Sequence, residues 1–190
     1  MYNILYLPLS GGQFICQLLT AHLDKSKNGK DYFDPYDNDM YWIDREKEYF
    51  KQGSIVNGQC TTNMVFSTVK NLSNIFFISV ESARDEGFIK TRMNYIDTIQ
   101  QELPSWWLMR LLYHKEMYKE MKEKNIPFFD FPAGNLTNKK LFLDSMNSFA
   151  KYINLEFDDD ILSYAFEKWS KANLRALKTK LLLKNKEGTK

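Results

Sequence analysis

Cysteine is almost missing: Cys16 and Cys60 are the only two in 190 residues. That leaves no disulfide framework and no close-spaced thiol pair for a structural zinc, so both are expected as free thiols in a reducing compartment. Histidine is as scarce, with His22 and His114 alone. Long hydrophobic runs are also lacking. The first apolar stretch has no basic leader and is interrupted by Gly11-Gly12, which argues against a signal peptide and against a membrane span. A soluble, cytoplasmic protein is expected. No repeat or low-complexity tract is present. Arginine is thin, 5 against 21 lysines, and Asn, Ile, Tyr and Phe are plentiful. That is the composition of an AT-rich source and carries no chemistry.

What the chain does have is apolar and aromatic surface. It is 44% hydrophobic, with 14 Phe, 11 Tyr and 4 Trp, enough to bury one sizeable core. A single domain over residues 1–190 is expected, ending in a basic helical segment from about residue 158. The net charge of +2 is unevenly spread: residues 167–190 hold eight Lys or Arg against two Glu, and the rest holds eighteen against twenty-two acidic residues. No base-reading pattern accompanies the basic tail, so nucleic acid is not the expected partner. The tail and the surface aromatics instead suit a protein partner or self-association.

The most informative stretch is the first. Tyr2-Asn3-Ile4-Leu5-Tyr6-Leu7 reads as a strand, Pro8-Leu9-Ser10-Gly11-Gly12 as a turn, and Phe14, Ile15, Leu18 and Leu19 as one face of a following helix. Glycines let the backbone approach an anion, and a helix start aims its free N–H groups and positive dipole end at it. No lysine or arginine lies in the loop, and Leu9 stands where a fixed cation is expected.

Further along, residues 25–39 read as a long loop, 40–52 as a short amphipathic helix, 54–58 as a short strand leading to Gln59-Cys60-Thr61-Thr62, and 63–70 as ambiguous. The run 74–80 has the unbroken apolar character of a strand buried on both faces. Helices are predicted over 84–101 and 105–124, divided at Pro104. A strand at 126–131 follows, then a helix capped by Thr137 or Asn138 and running to about 153, and a last helix starting at Asp158–Asp160 and running past 180. Strands alternating with helices predict a three-layer α/β fold with a mainly parallel central sheet. Residues 8–14, 57–62 and 81–92 are expected to converge at the carboxyl ends of its strands.

The chain resembles the sulfotransferase family, whose fold is of the P-loop nucleotide-kinase type. Pro8-Leu9-Ser10-Gly11-Gly12-Gln13-Phe14 is similar to that family's strand–loop–helix motif, with Leu9 in place of its basic residue and Gln13 in place of a hydroxyl residue. Phe76-Phe77-Ile78-Ser79-Val80-Glu81-Ser82-Ala83-Arg84-Asp85 is similar to its buried strand and the following arginine turn. Phe129-Asp130-Phe131, the helix over 138–153 and Trp169-Ser170-Lys171-Ala172-Asn173-Leu174 resemble its closing elements. The resemblance implies 3'-phosphoadenosine 5'-phosphosulfate as cofactor and transfer of its sulfuryl group to a small-molecule hydroxyl acceptor. It implies binding of the 5' end by Ser10, Gly11, Gly12, Gln13 and Phe14, and of the 3'-phosphate by Arg84, Thr91 or Arg92. No metal is implied.

Such transfer needs a base for the acceptor hydroxyl. Neither histidine is well placed for it. The candidates are Asp85, Glu81 or Glu86, with His22 the weaker choice, and Leu9 offers nothing to the charge that builds on the leaving oxygen. A catalytically inactive scaffold of the same fold, with a binding or assembly role such as that of a viral structural protein, is the alternative. Asp158-Asp159-Asp160 reads as a helix start rather than a metal site. Asp34, Asp37, Asn38 and Asp39 lack the glycine and glutamate of a calcium loop. Cys60 has no histidine nearby in sequence to make it a nucleophile. Trp106, Trp107 and Tyr113 read as packing residues before stacking ones.

Overall fold

The two most continuously apolar stretches of the chain lie side by side at the middle of its sheet. The computed structural model describes residues 2–7, 10–24, 28–33, 46–47, 50–54, 74–96 and 105–172. Strand β1 is Tyr2–Tyr6, β2 Glu46–Lys47, β3 Phe50–Ser54, β4 Ile75–Ser79 and β5 Phe128–Pro132. Their order is β2-β3-β1-β4-β5. Tyr2 pairs with Phe50, Asn3 with Ile75 and Ile75 with Phe128, all parallel; only β2 is antiparallel, against β3. Every residue of β4 is buried, which requires cover on both faces of the sheet.

That cover divides by the two-residue period of the strands. Ile4, Phe76, Ile78 and Phe131 point to one face. There they meet Phe14, Ile15, Leu18 and Leu19 of helix α1 (Gly12–Leu23), Phe142, Met146 and Phe149 of helix α4 (Lys139–Tyr152), and Leu162, Ala165 and Trp169 of helix α5 (159–172). Leu5, Ile75 and Phe77 point the other way, onto Met117 and Met121 of helix α3 (Ser105–Glu123). Helix α2 (Ala83–Ile96) contributes Phe88 and Ile89 to the first core. Each fully buried Phe is worth about 1.5–3 kcal/mol of transfer free energy, so the aromatic richness of the chain is spent mainly on these two interiors. The α/β class and the mainly parallel sheet agree with the sequence reading.

One element does not. Residues 40–52 are expected as a helix, yet Glu46–Lys47 and Phe50–Ser54 are strands. The apolar and charged residues there fit a helical stripe, but β1 needs a neighbour for its backbone groups, and parallel pairing along Phe50–Ser54 supplies it. Of the strand expected at 54–58, Ser54 closes the strand Phe50–Ser54, and the rest lies outside the described residues with 55–73. Within 25–39, Gly29–Tyr32 forms a 3-10 turn capped by Asn28.

Helix starts follow the caps legible in the sequence. Asn138 accepts from Leu141 N at 3.2 Å, and Asp158 accepts from Asp160 N at 2.8 Å and Ile161 N at 3.2 Å. No described helix is long and apolar enough to cross a membrane.

Candidate functional site

The chain leaves β1 towards β3 on one side, and leaves β4 towards β5 on the other. The carboxyl ends of β1 and β4 therefore flank the point where the winding reverses, the place where open α/β sheets leave a crevice. Two predicted segments, Ser10–Phe14 and Glu81–Arg92, reach this edge. The third, 57–62 with Cys60, lies outside the described residues, as do Pro8 and Leu9.

At the end of β1, the Ser10 hydroxyl donates to the Leu7 carbonyl at 2.7 Å and its backbone N–H donates to the same oxygen at 3.0 Å. This closes a tight turn and leaves Ser10 fully buried. Gly11 follows with φ +91°, a conformation that favours glycine. Its carbonyl accepts from Ile15 N at 3.1 Å, starting α1. A Cβ at Gly11 would run into Leu136, and one at Gly12 into the Tyr6 ring. The glycines are there for close approach of protein to protein as well as for the turn. Gln13 is exposed, whereas Phe14 is buried and stacks on Trp169 at 5.1 Å between centroids.

At the end of β4, Ser82 and Asp85 form a reciprocal cap. Asp85 N donates to Ser82 Oγ at 3.1 Å, while Asp85 Oδ2 accepts from Ser82 N at 2.9 Å, Ser82 Oγ at 2.7 Å and Glu81 N at 3.2 Å. Asp85 Oδ1 accepts from Gly134 N at 2.7 Å. The carboxylate is 2% exposed and surrounded by donors, an arrangement for holding a turn in place. Arg84 Nη2 donates to the Gly134 carbonyl at 2.5 Å and to Thr137 Oγ1 at 3.0 Å. Gly134, Leu136 and Thr137 belong to one 3-10 turn, Ala133–Thr137, directly after β5. That turn touches both predicted segments: Leu136 lies against Gly11, and Gly134 is gripped by Arg84 and Asp85.

The remaining candidates are dispersed. Thr91 donates its hydroxyl to Gly87 O in its own helix at 2.9 Å. Arg92 lies over the rings of Trp169 at 5.2 Å and Phe88 at 5.7 Å, so it reaches the Phe14 stack from the α2 side. Glu81 is exposed and lines an open groove of about 410 Å³ with Lys115, Glu116, Tyr118, Lys119 and Lys122. Partial burial raises its carboxyl, with Lys115 opposing. Glu86 pairs with Lys115 at 2.6 Å.

Neither histidine reaches the edge. His22 is buried, with Nδ1 on Leu18 O at 2.8 Å and its ring against Phe157. His114 is fully buried, stacks on Phe77 at 4.5 Å, and donates from Nε2 to Ile78 O at 2.8 Å. Burial holds its pKa down to about 4, so the ring is neutral. Burial also pushes the Cys16 thiol far up, which leaves it unreactive in the folded state. Among the described residues no group of three His, Cys, Asp or Glu side chains is arranged to hold a metal ion. Trp106 and Trp107 lie on α3, and their side chains are outside the described part.

Gly134 and Leu136 have no local motif, because their partners, Arg84 and Asp85 for the one and Gly11 for the other, are far away in sequence. Thr137, expected as a possible helix cap, instead accepts from Arg84, and Asn138 caps the helix. The Ser82–Asp85 cap does carry a local signal, a serine three residues before a carboxylate at a helix start. No family model, curated protein or solved structure matches the chain.

Proposed function

We propose that this chain is a sulfotransferase-like protein that binds a ligand of the 3'-phosphoadenosine 5'-phosphosulfate class at the mouth of α1. The observation that supports it best is the joint docking of Gly11 and Arg84 on one short turn, Ala133–Thr137, at the carboxyl edge of a parallel sheet. A helix start supplies N–H donors and the positive end of a dipole, and Arg84 supplies a fixed cation a few residues' width away. In this reading Gly12, Gln13 and Arg84 hold the anionic groups of the ligand. The cofactor, when bound, supplies the transferable sulfuryl group.

A second reading, binding without transfer, is favoured by one specific feature. The carboxylate nearest Arg84 along the chain, Asp85, is committed to four donors, and both histidines are buried in the core. A general base has to reach the proton it removes, and among the sequence candidates Glu81 lines an open groove with Lys115 and Lys119.

Titration with adenosine 3',5'-bisphosphate, followed by thermal unfolding, tests binding. At a hundredfold excess over Kd the ligand adds about 2.7 kcal/mol, read as a higher Tm. Arg84→Gln is expected to weaken binding by about tenfold, the loss of one charge-assisted contact. An unchanged Tm at millimolar ligand rules out the cofactor class. Binding with no sulfated product from any hydroxyl acceptor supports the second reading.

A further inference from the structure

We propose that Asp85 is a positioning residue for anion binding: by clasping Gly134 it locks the turn after β4 to the turn after β5 and so holds the Arg84 guanidinium at the ligand-binding edge. The inference rests on the reading of Ser10–Phe14 and Arg84 as an anion site.

The two oxygens of this carboxylate do different work. Oδ2 serves the local cap, accepting from Glu81 N, Ser82 N and Ser82 Oγ within one turn. Helix α2 needs nothing more to begin. Oδ1 instead reaches 49 residues along the chain to Gly134 N, at 2.7 Å. The carbonyl of the same glycine accepts from Arg84 Nη2 at 2.5 Å. Consecutive residues thus grip both polar groups of one glycine. The fit depends on residue 134 having no side chain, since a Cβ there would lie 2.8 Å from Asp85 Oδ1 and 2.9 Å from Arg84 Cγ. Thr137 completes the clasp, donating to the Gly134 carbonyl at 2.7 Å while accepting from Arg84 Nη2 at 3.0 Å.

Arg84 is otherwise exposed, and a free arginine side chain gives up considerable rotamer entropy when it is fixed on a ligand. Anchoring one edge of the guanidinium beforehand lowers that cost and leaves the Nε and Nη1 donors for an anion. Leu136, two residues on from Gly134, packs against Gly11, so the same turn sets the spacing between the cation and the helix mouth.

The sign of the effect makes the idea testable. On charge alone, removing an aspartate beside an anion site strengthens anion binding. A positioning role predicts the reverse. Isothermal titration with adenosine 3',5'-bisphosphate is run on the parent, Asp85→Asn, Gly134→Ala and Ser82→Ala, and on the first two again combined with Arg84→Gln. Asp85→Asn and Gly134→Ala are each expected to weaken binding about tenfold in the parent and less than about twofold when Arg84 is already Gln, the coupling expected of residues in one network. Gly134→Ala leaves the cap within the turn intact and carries the test if Asp85→Asn does not fold. Ser82→Ala is expected to lower Tm without changing affinity. Binding by both clasp variants that is as tight as the parent's or tighter, or an equal loss with and without Arg84, overturns the proposal while the anion site stands. A parent that does not bind overturns both.

Discussion

At the scale of single residues, His114 shows how burial sets chemistry. The ring packs on Phe77, gives its Nε2 proton to Ile78 O and stays neutral because no water reaches it. Its pKa falls from 6.5 to about 4 on folding. Between those values the unfolded chain binds a proton that the folded chain refuses, so stability is lost as pH falls through that window, at up to about 1.4 kcal/mol per pH unit. Glu81, whose carboxyl is raised, acts in the opposite direction but is exposed and weak. Urea midpoints measured from neutral pH down to the mid-fours are expected to fall, and to fall less steeply in His114→Gln. An identical slope in that variant would place the acid sensitivity elsewhere. The glycines make a second case. Gly12→Ala forces a methyl into the Tyr6 ring and is expected to cost about 1–3 kcal/mol by overpacking. Gly11→Ala adds the strain of φ +91° to a clash with Leu136, so Leu136→Ala is expected to relieve only part of its loss in a denaturation experiment.

At the scale of elements, caps and stacks decide where helices start and what they hold. Removing the hydroxyl of Ser82 takes away one half of a reciprocal cap, a loss of about 1 kcal/mol. Trp169 does more, because it sits between α1 and α2. It stacks on Phe14, lies near Phe88 and Phe166, and carries Arg92 over its ring. Trp169→Ala is expected to cost about 3–5 kcal/mol, seen as a lower urea midpoint, and to loosen the first turn of α1 with it. Slowed or unchanged amide exchange at Gln13–Ile15 in that variant would show the stack to be independent of the loop.

At the scale of the whole molecule, the parallel sheet gathers the ends of β1, β4 and β5 at one edge, and a five-residue turn ties them together. Ligand-induced protection from amide exchange is therefore expected at three separate segments, 10–14, 82–86 and 133–137, in the presence of adenosine 3',5'-bisphosphate. Protection confined to the groove beside Lys115 and Lys119 would move the binding site to the α3 face.

Much of this was written locally. The apolar runs Ile4–Leu7 and Ile75–Val80, the glycine turn and the Asn138 and Asp158 helix starts all act over a few residues, and short-range sterics and hydrogen bonding make them legible. The strand nature of Phe50–Ser54 was not, because it is the unpaired edge of β1 that makes a strand of that stretch. Nor was the use of Asp85. As a lone carboxylate next to an arginine it read as a base, and only the approach of Gly134 from beyond β5 gives Oδ1 its partner. Sequence alone determined the strands at Tyr2–Tyr6, Ile75–Ser79 and Phe128–Pro132 and the helices between and after them by period and cap, and that a helix follows the Gly11-Gly12 turn. Tertiary structure decided which polar groups meet, since hydrogen bonds reach about 3 Å and no local pattern brings residue 85 that close to residue 134.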